Sequence, residues 1–286
     1  KQERIPKKKI HQTSLIYSIF IGSPLSEERI PISSYTEDND KITYYNYHSE
    51  KINEYQGVYE IKEKIYYLGT DKYGRDLLSR VLHGTRISLS VGFVSVFISL
   101  FIGILFGVLS GYFKGKVDYI VMWFINVVWS IPTLLMVIAI TLALGKGFWQ
   151  VFVAVGLTMW VEVARVVRGQ VLLIRESEYV QAGQVLAYKP LRIIFRHIVP
   201  NILAPVIVIS AANFASAILI ESGLSFLGIG AQPPIPSWGG MIKDHYSYVV
   251  MDKAYLACVP GLSIMLLVLS FMMIGNGLRD ALDVKN

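Results

Sequence analysis

The amino-acid sequence predicts an all-α protein, a polytopic membrane helix bundle with about five transmembrane helices after a polar N-terminal segment. Of its 286 residues, 53% are hydrophobic and only 17% are charged, a balance on the apolar side of ordinary soluble domains. The apolar residues are also gathered into long runs without a charged side chain. Composition and run length together indicate a protein that crosses a bilayer.

Four predicted spans are free of charge for roughly 23 to 27 residues, more than the ~20 that a helix needs to cross the hydrocarbon core. They are 87–113, 119–145, 198–220 and 254–278. A fifth span, 147–163, has about 15 uncharged residues before Glu162, and it can extend because the Arg165 side chain can reach toward the interface.

Glycine and proline positions predict how these spans pack and bend. Gly103, Gly107 and Gly111 recur every four residues, which gives one smooth face on which another helix can pack closely. Pro132 and Pro205 fall inside spans, where each removes a backbone donor and can kink the helix. A bundle with kinked spans is more typical of a protein that moves solute than of a membrane anchor.

Residues 1–67 contain no run of spanning length and are rich in Tyr, Lys, Glu and Ser, so we expect a polar, water-exposed segment. Residues 68–86 then form a pre-membrane segment, and 87–281 form the transmembrane domain. An odd number of spans with an outside start leads us to expect one further span before residue 1.

The distribution of basic residues predicts the topology. Residues 165–197 contain six Lys and Arg residues and only two Glu residues, whereas the "GKGF" turn contains Lys146 as its one charged residue. Because basic residues concentrate on the cytoplasmic side of short loops, the 165–197 stretch is expected in the cytoplasm, with residues 1–86 and the Pro-rich loop after residue 221 outside.

Several chemical functions lack their motifs. The "GYFKGKV" stretch is one residue short of a phosphate loop and has Val117 where Ser or Thr would hold magnesium, so we expect neither ATP binding nor enzyme activity. The five histidines are scattered, "GLSFLG" around Ser225 is no nucleophile elbow, and we expect no metal and no cofactor. The net charge of +6 follows the topology, so we expect no nucleic-acid partner.

Three acidic or amide side chains interrupt the apolar spans. Glu162 precedes Arg165 by three residues, and a structural ion pair is preferred here over a proton relay. Asn213 and Glu221 either line a pathway or bond to a neighbouring helix, and both alternatives stay open. A membrane enzyme would need Glu162, Asn213 and Glu221 to converge, and an ion-driven carrier would need an inverted repeat, which is not visible.

The stretch "SEYVQAGQVLAYKPLRIIFRHIVPN" predicts two short cytoplasmic helices joined at Pro190. Tyr179, Ala182, Gly183 and Leu186 share one face of the first helix, with the two small residues exposed at its centre. Small residues let another surface come close, so this face favours a protein partner. The second helix alone would also fit an interfacial helix in the lipid headgroups.

The same stretch resembles the cytoplasmic EAA loop of bacterial ABC importer permeases, in the branch of dipeptide, oligopeptide and nickel systems. Further matches follow in order from Leu68 onward, namely "LGTDKYGRDLLSRVLHGTRISLSVG", "GVLSGYFKGKVD", "SIPTLLMVI", "ARVVRGQV" and "ESGLSFLGIGAQPPIPSWGGMI". This resemblance implies the type I ABC importer permease fold.

The resemblance also implies a permease subunit in the bacterial inner (plasma) membrane. Its partners would be a second homologous permease subunit, two cytoplasmic ATPase subunits that hydrolyse ATP, an extracytoplasmic substrate-binding protein that delivers solute, and the lipid bilayer. Di- or oligopeptides are the favoured cargo, and nickel or other metal chelates and oligosaccharides are the alternatives.

The family's coupling loop, seated in a groove of an ATPase subunit, would correspond to residues 168–200. Two positions depart from the family pattern, because Gly183 stands where a second Ala is usual and Ala187 where a Gly is usual. Since alanine adopts a positive φ poorly, we expect the first helix to run one turn further. The coupling residues implied are Glu178, Tyr179, Ala182, Gly183, Leu186, Ala187, Lys189, Pro190, Arg192, Arg196 and His197.

Overall fold

A computed structural model describes residues 2–5, 28–38, 41–46, 52–56, 60–62, 65–145, 147–232 and 234–282. Part of the predicted N-terminal segment and Lys146, used above for topology, lie outside them. The helices found in this described part are α1 (Leu77–Phe113), α2 (Gly115–Trp129), α3 (Thr133–Leu144), α4 (Phe148–Arg175), α5 (Glu178–Val185), α6 (Pro190–Ile193), α7 (Val199–Phe226), α8 (Trp238–His245) and α9 (Tyr255–Leu282). A π-helical turn, Ile194–Ile198, joins α6 to α7.

The predicted polytopic helix bundle is confirmed. Across the described ranges, four helical segments are long and apolar enough to cross a membrane, and a bent pair of helices makes a fifth. The four are α1, α4, α9 and the continuous run Pro190–Phe226, which contains α6 and α7.

Strands occur in the polar N-terminal segment, where none was predicted. They form an antiparallel sheet in the order β4-β3-β2-β1-β5. Ile32, Ile42 and Tyr44 form a small buried cluster, and Ile42 and Tyr44 share a face because they are two residues apart on one strand. The strands are β1 (Gln2–Ile5), β2 (Glu28–Asp38), β3 (Lys41–Asn46), β4 (Ile52–Gln56) and β5 (Glu60–Lys62).

A compact polar turn leads into α1, which begins at Leu77, inside the predicted pre-membrane segment. The buried Asp71 carboxylate accepts backbone N–H bonds from Tyr73 and Arg75 at 2.8 and 2.9 Å. The Arg75 Nε atom donates to the other Asp71 oxygen at 2.7 Å. The "TDKYGRD" motif is therefore folded around one carboxylate.

The predicted glycine face of α1 is confirmed as a helix-packing surface against α4. A Cβ atom added to any of these glycines would lie between 2.5 and 2.7 Å from a valine Cβ atom, closer than real Cβ contacts allow. The two helices therefore approach at backbone distance, as small residues permit in membranes. In this glycine–valine seam the contacts are Gly103 with Val163, Gly107 with Val167, and Gly111 with Val171.

The predicted span 119–145 is broken rather than continuous. Its two parts, α2 and α3, meet at an angle of 88°. Pro132 is the N-cap residue of α3, with a ψ of 124° that no helix can continue through, and it has no N–H to donate. Pro205 lies inside α7 without ending it. The two prolines thus have different effects, because only Pro132 adopts non-helical backbone angles.

The short helix α8 packs tightly on α1 and α7. The Trp238 Nε1 atom donates a hydrogen bond to the Val81 carbonyl at 2.9 Å. A Cβ atom on Gly239 would overlap the carbonyl oxygen of Ser222, so that only glycine fits where α8 touches α7. The Pro-rich loop is therefore fixed at one end by backbone contact.

Replacing Gly107 by Leu should destabilise the bundle, because the new side chain would collide with Val167 and with the Ala164 carbonyl. We expect a loss of about 1–3 kcal/mol or more, the usual cost of overpacking, seen as a lower thermal unfolding midpoint of the purified protein. Gly169→Leu on α4 is the matched control, since Gly169 is exposed and no atom lies within 4 Å of its added Cβ. Equal midpoints for the two variants would show that the seam is not a tight contact.

Candidate functional site

The first helix of the predicted coupling loop is mounted on α4. The helix begins after Ser177, which has an extended backbone and is the N-cap residue. The negative charge of Glu178 in the first turn is stabilised by the positive end of the helix dipole. Val180 is fully buried in a cluster with Val171 and Ile198. Tyr179, Gln181 and Ala182 are exposed. One side of α5 is therefore anchored and the other is free.

The expectation that Ala182 and Gly183 are both exposed is half wrong. Ala182 is exposed, but Gly183 is buried beneath Tyr188 and Ile193. A Cβ atom on Gly183 would lie 3.5 Å from Tyr188 Cδ2 and 3.9 Å from Ile193 Cγ1, which is ordinary contact. The position therefore has room for alanine, and glycine here is not required by space.

The expected extra turn after α5 is wrong, because the helix ends at Val185 and Ala187 has a φ of 56°. The Tyr188 N–H donates to the Gly183 carbonyl at 3.0 Å, and the Ala187 N–H donates to the Gln184 carbonyl at 2.9 Å. These two bonds form a Schellman motif, which needs a left-handed residue just past the helix end. Alanine fills that position at a steric cost that glycine would avoid.

The second helix begins as predicted at Pro190, whose missing N–H costs nothing at a helix start. Lys189 is its N-cap residue. The Arg192 guanidinium lies 4.2 Å from the centre of the Tyr188 ring, a cation–π contact that joins α6 to the turn before it. Farther along, the rings of His197 and Tyr179 are 6.3 Å apart. Residues of the second helix and of the π-helical turn therefore lie near residues of α5 and of the turn that follows it.

Five large apolar side chains point away from the bundle along this loop. Val185 is 86% exposed and Phe195 is 69% exposed. Lys189, Arg192 and Arg196 are exposed among them. An apolar patch with a basic surround is typical of a protein contact. We call this patch the docking surface, and it consists of Tyr179, Val185, Leu186, Leu191 and Phe195.

An ion pair below the loop, which we call the base clamp, was missed by the sequence analysis. Arg168 on α4 donates from Nε and Nη2 to the two carboxylate oxygens of Asp118 on α2, both at 2.6 Å. Ser110 on α1 donates to the same carboxylate. A bidentate pair of this kind is strong and directional, so it holds three helices together. The available signal was the single carboxylate of "GYFKGKVD", Asp118, and the two arginines of "ARVVRGQV", but nothing in the sequence pairs Asp118 with one of them.

A second ion pair lies closer to α5 and is more exposed. Lys114 Nζ is 2.7 Å from Glu176 Oε1, and this hydrogen bond lowers the pKa of the Glu176 carboxyl from its usual value. The Gln181 side chain on α5 donates to the Glu176 carbonyl at 3.0 Å. The end of α1 is thereby linked to the start of the loop.

The predicted ion pair between Glu162 and Arg165 does not form. The Arg165 guanidinium instead lies 3.7 Å from the centre of the Trp129 ring. Glu162 is exposed on this chain and is one of the residues that line a cavity of about 210 Å³ beside the break between α2 and α3. Ser216 on α7 lines the same cavity. The competing aromatic partner explains why helical spacing alone misled.

Asn213 and Glu221 are both buried in α7, at 2% and 1% exposure. Glu221 accepts a hydrogen bond from Ser225 Oγ at 2.7 Å, within the same helix. Neither residue lines the cavity of Glu162, and among the described residues no hydrogen bond joins any two of the three. Asn213 Nδ2 and Glu221 Oε2 have no hydrogen-bond partner among the described residues, so a bond to a neighbouring helix is not seen for these atoms, and the three residues do not converge on one site there.

Comparison with known proteins places this arrangement in context. Residues 103–285 match the family described as binding-protein-dependent transport system inner membrane component. The chain is 40% identical over 220 residues to a dipeptide transport system permease protein of Alkalihalophilus pseudofirmus, covering 77% of this chain and 72% of that protein. It is 44% identical over 224 residues to an oligopeptide transport system permease protein of Escherichia coli K12, covering 78% and 74%.

Two further similarities extend the comparison. A glutathione transport system permease protein of Pectobacterium atrosepticum is 38% identical over 239 residues, covering 84% of this chain and 79% of that protein. Among solved structures, the inward-facing MetNI methionine ABC transporter aligns with a TM-score of 0.61 at 18% identity, covering 72% of this chain and 97% of that chain. The structural likeness supports the fold.

Replacing Ala187 by Gly should stabilise the loop by about 0.5–1 kcal/mol, because glycine tolerates the left-handed angle. We expect slower amide hydrogen exchange across residues 178–188. Ala182→Gly is the matched control on the same helix, where glycine should instead destabilise by about 1 kcal/mol and speed exchange. Faster exchange in both variants would contradict the Schellman assignment.

The base clamp should couple energetically. Asp118→Asn and Arg168→Gln should each destabilise the purified protein, and a double-mutant cycle should give a coupling energy of about 1–2 kcal/mol, as expected for a partly buried charged hydrogen bond. Glu176→Gln is the matched control, because the exposed pair with Lys114 is screened by solvent and should change the unfolding midpoint little. Additive effects at Asp118 and Arg168 would rule out the clamp.

Proposed function

The chain belongs to the family of binding-protein-dependent transport system inner membrane components, and on that premise we propose that it is one of two permease subunits in a bacterial peptide importer. The family makes it a multi-pass transport permease. The relatives are named for dipeptides, oligopeptides and glutathione, and all of these are peptides. Their shared chemistry supports peptides over metal chelates or oligosaccharides as the cargo.

In this proposal the importer contains four further proteins in the bacterial inner membrane or at its two faces. A second, homologous permease completes the pathway, two cytoplasmic ATPases hydrolyse ATP, and an extracytoplasmic protein delivers the peptide. The absence of a phosphate loop from the sequence supports the separate ATPases. The chain itself supplies one part of the pathway and one coupling loop.

The docking surface is the observation that carries the coupling role. Large apolar side chains in water are unfavourable, since each fully exposed Leu or Phe forgoes about 1.5–3 kcal/mol of burial. The five side chains of the docking surface are exposed within the 17 residues from Tyr179 to Phe195, and the small residue Ala182 between them is exposed as well. A groove on an ATPase subunit would cover them, and the basic residues around them would suit an acidic rim.

An interfacial helix in the lipid headgroups fits this loop less well. The only helix with that pattern, α6, has four residues and continues through a π-helical turn into α7. It is therefore the end of a spanning segment and not a separate helix lying flat on a bilayer.

The mounting of the loop suits force transmission. Buried Val180 fixes α5 to α4, the Schellman motif fixes the turn, and the base clamp ties α4 to α1 and α2. A movement imposed on the docking surface would therefore pass into the spanning helices, because these contacts join the loop to α4 and α4 to α1 and α2. Closure of the ATPases on ATP would reorient the permease in this way.

Leu186→Asp tests the docking surface, because it places a charge where the proposed contact is apolar. We expect ATP-driven peptide uptake in proteoliposomes to fall by about tenfold or more, as at a typical interface hot spot, with less ATPase recovered by co-purification. Val250→Asp is the matched control, since Val250 is 90% exposed beyond the opposite end of α7 and should leave uptake unchanged. Normal uptake and recovery in Leu186→Asp would exclude the coupling role.

A further inference from the structure

Glu162 is a charged residue near the middle of α4, in a helix that crosses the membrane. Ionisable side chains within a membrane-spanning helix are costly, face the interior or a water-filled cavity, and mark functional sites. A carboxylate there is stabilised by water, by a protein cation or by a ligand cation. Its partner therefore decides its role.

No protein partner satisfies Glu162 within the described residues of this chain. Arg165, the cation at helical spacing, is held over the Trp129 ring instead. None of the hydrogen bonds or ion pairs in the described part of the chain involves the Glu162 carboxylate, and the side chain is exposed and lines the cavity. The Glu162 carboxylate is therefore available to bind a cationic group of a ligand that enters the cavity.

The cavity has the composition of a site for a small amphipathic cation. It measures about 210 Å³ and lies where α2 breaks from α3, against α4 and α7. Broken helices at membrane depth are tolerated where they line a cavity, and transporters place substrate sites at such breaks. Its wall combines apolar side chains with hydroxyl groups, among them Trp129, Met159, Ile220, Thr133, Thr158 and Ser216.

We propose that Glu162 binds the α-ammonium group of a peptide as the peptide passes this cavity. The inference rests on the proposed function and specifies which part of the cargo the permease recognises. The α-ammonium is the cation that linear peptides share whatever their side chains, so one carboxylate serves them all. The apolar wall then accepts different side chains without demanding a particular hydrogen bond.

This assignment also separates the cargo classes. A neutral oligosaccharide has no cation for Glu162, and its many hydroxyl groups would need more polar partners than Thr133, Thr158 and Ser216 provide. The Thr158 hydroxyl already donates to the Val155 carbonyl at 2.8 Å, so it can only accept from a ligand. An ammonium group only donates hydrogen bonds, so it suits both the Glu162 carboxylate and the Thr158 hydroxyl as acceptors.

The first test measures uptake by the complete importer in proteoliposomes, with the binding protein outside and ATP inside. Glu162→Gln keeps the shape and removes the charge, and we expect dialanine uptake to fall by about tenfold, in line with the loss of a charged hydrogen bond. Asp252→Asn is the matched control, because it makes the same change at an exposed turn whose left-handed backbone suits Asn. Glu162→Asp should recover part of the uptake.

The second test uses the unmutated complex and a hydrophobic carbodiimide that modifies carboxylates, with mass spectrometry to read the modification at Glu162. Dialanine should slow the modification, whereas N-acetyl-dialanine, which lacks the ammonium group, should not. Equal protection by both peptides, or by neither, would overturn the inference. A Glu162 that resists the reagent altogether would also overturn it, since a cation of the second permease would then occupy the site.

The outcomes distinguish the two levels of the proposal. Normal dialanine uptake by Glu162→Gln, together with loss of uptake in Leu186→Asp, would reject the ammonium site and keep the importer function. Failure of the unmutated complex to take up any peptide, with ATPase and binding protein present, would reject the importer function itself. Binding-protein-stimulated ATP hydrolysis should persist in Glu162→Gln, which shows that the variant is folded and assembled.

Discussion

The backbone-level contact between α1 and α4 is the constraint on which the other features depend. Three glycines leave one face of α1 without side chains between residues 103 and 111, and three valines of α4 fill the space. Because α4 cannot shift along this seam without collision, the groups that it carries are held at defined depths. Glu162 lies beside Val163 at one end of the seam, Arg168 lies within it, and Val171 at the other end also packs on the loop. Site and scaffold therefore share one helix.

Features with a short repeat were predictable from the sequence, and features that depend on distant partners were not. The spacing of four residues from Gly103 to Gly111 was enough to predict a packing face, because period and side-chain volume are local properties. The charge-free run 119–145 was predicted as one span, since hydropathy gives the length of an apolar run but not the direction of its helix axis. Pro132 indicated a bend, but the angle of 88° depends on what the two halves pack against.

The candidate site shows the same limit at the level of single side chains. Asp118 and Arg168 are 50 residues apart, so no periodicity relates them. Glu162 and Arg165 have the spacing of a helical ion pair, yet Trp129 from another helix takes the arginine. At Ala187, local preference predicted a longer helix, whereas the packing of the following turn over the loop imposes a left-handed residue. Tertiary contacts outweighed local rules in each case.

The unbroken length of α4 gives it the properties of a lever. Its 28 residues span about 42 Å at 1.5 Å per residue, with the loop at one end and the break of the neighbouring span beside its middle. A tilt of about 5° around the loop end would displace the far end by about 4 Å and Glu162 by about half as much. That smaller distance is close to the difference between a hydrogen bond and a gap filled by water. A modest rotation at the loop end of α4 is therefore enough to make or break a contact at Glu162.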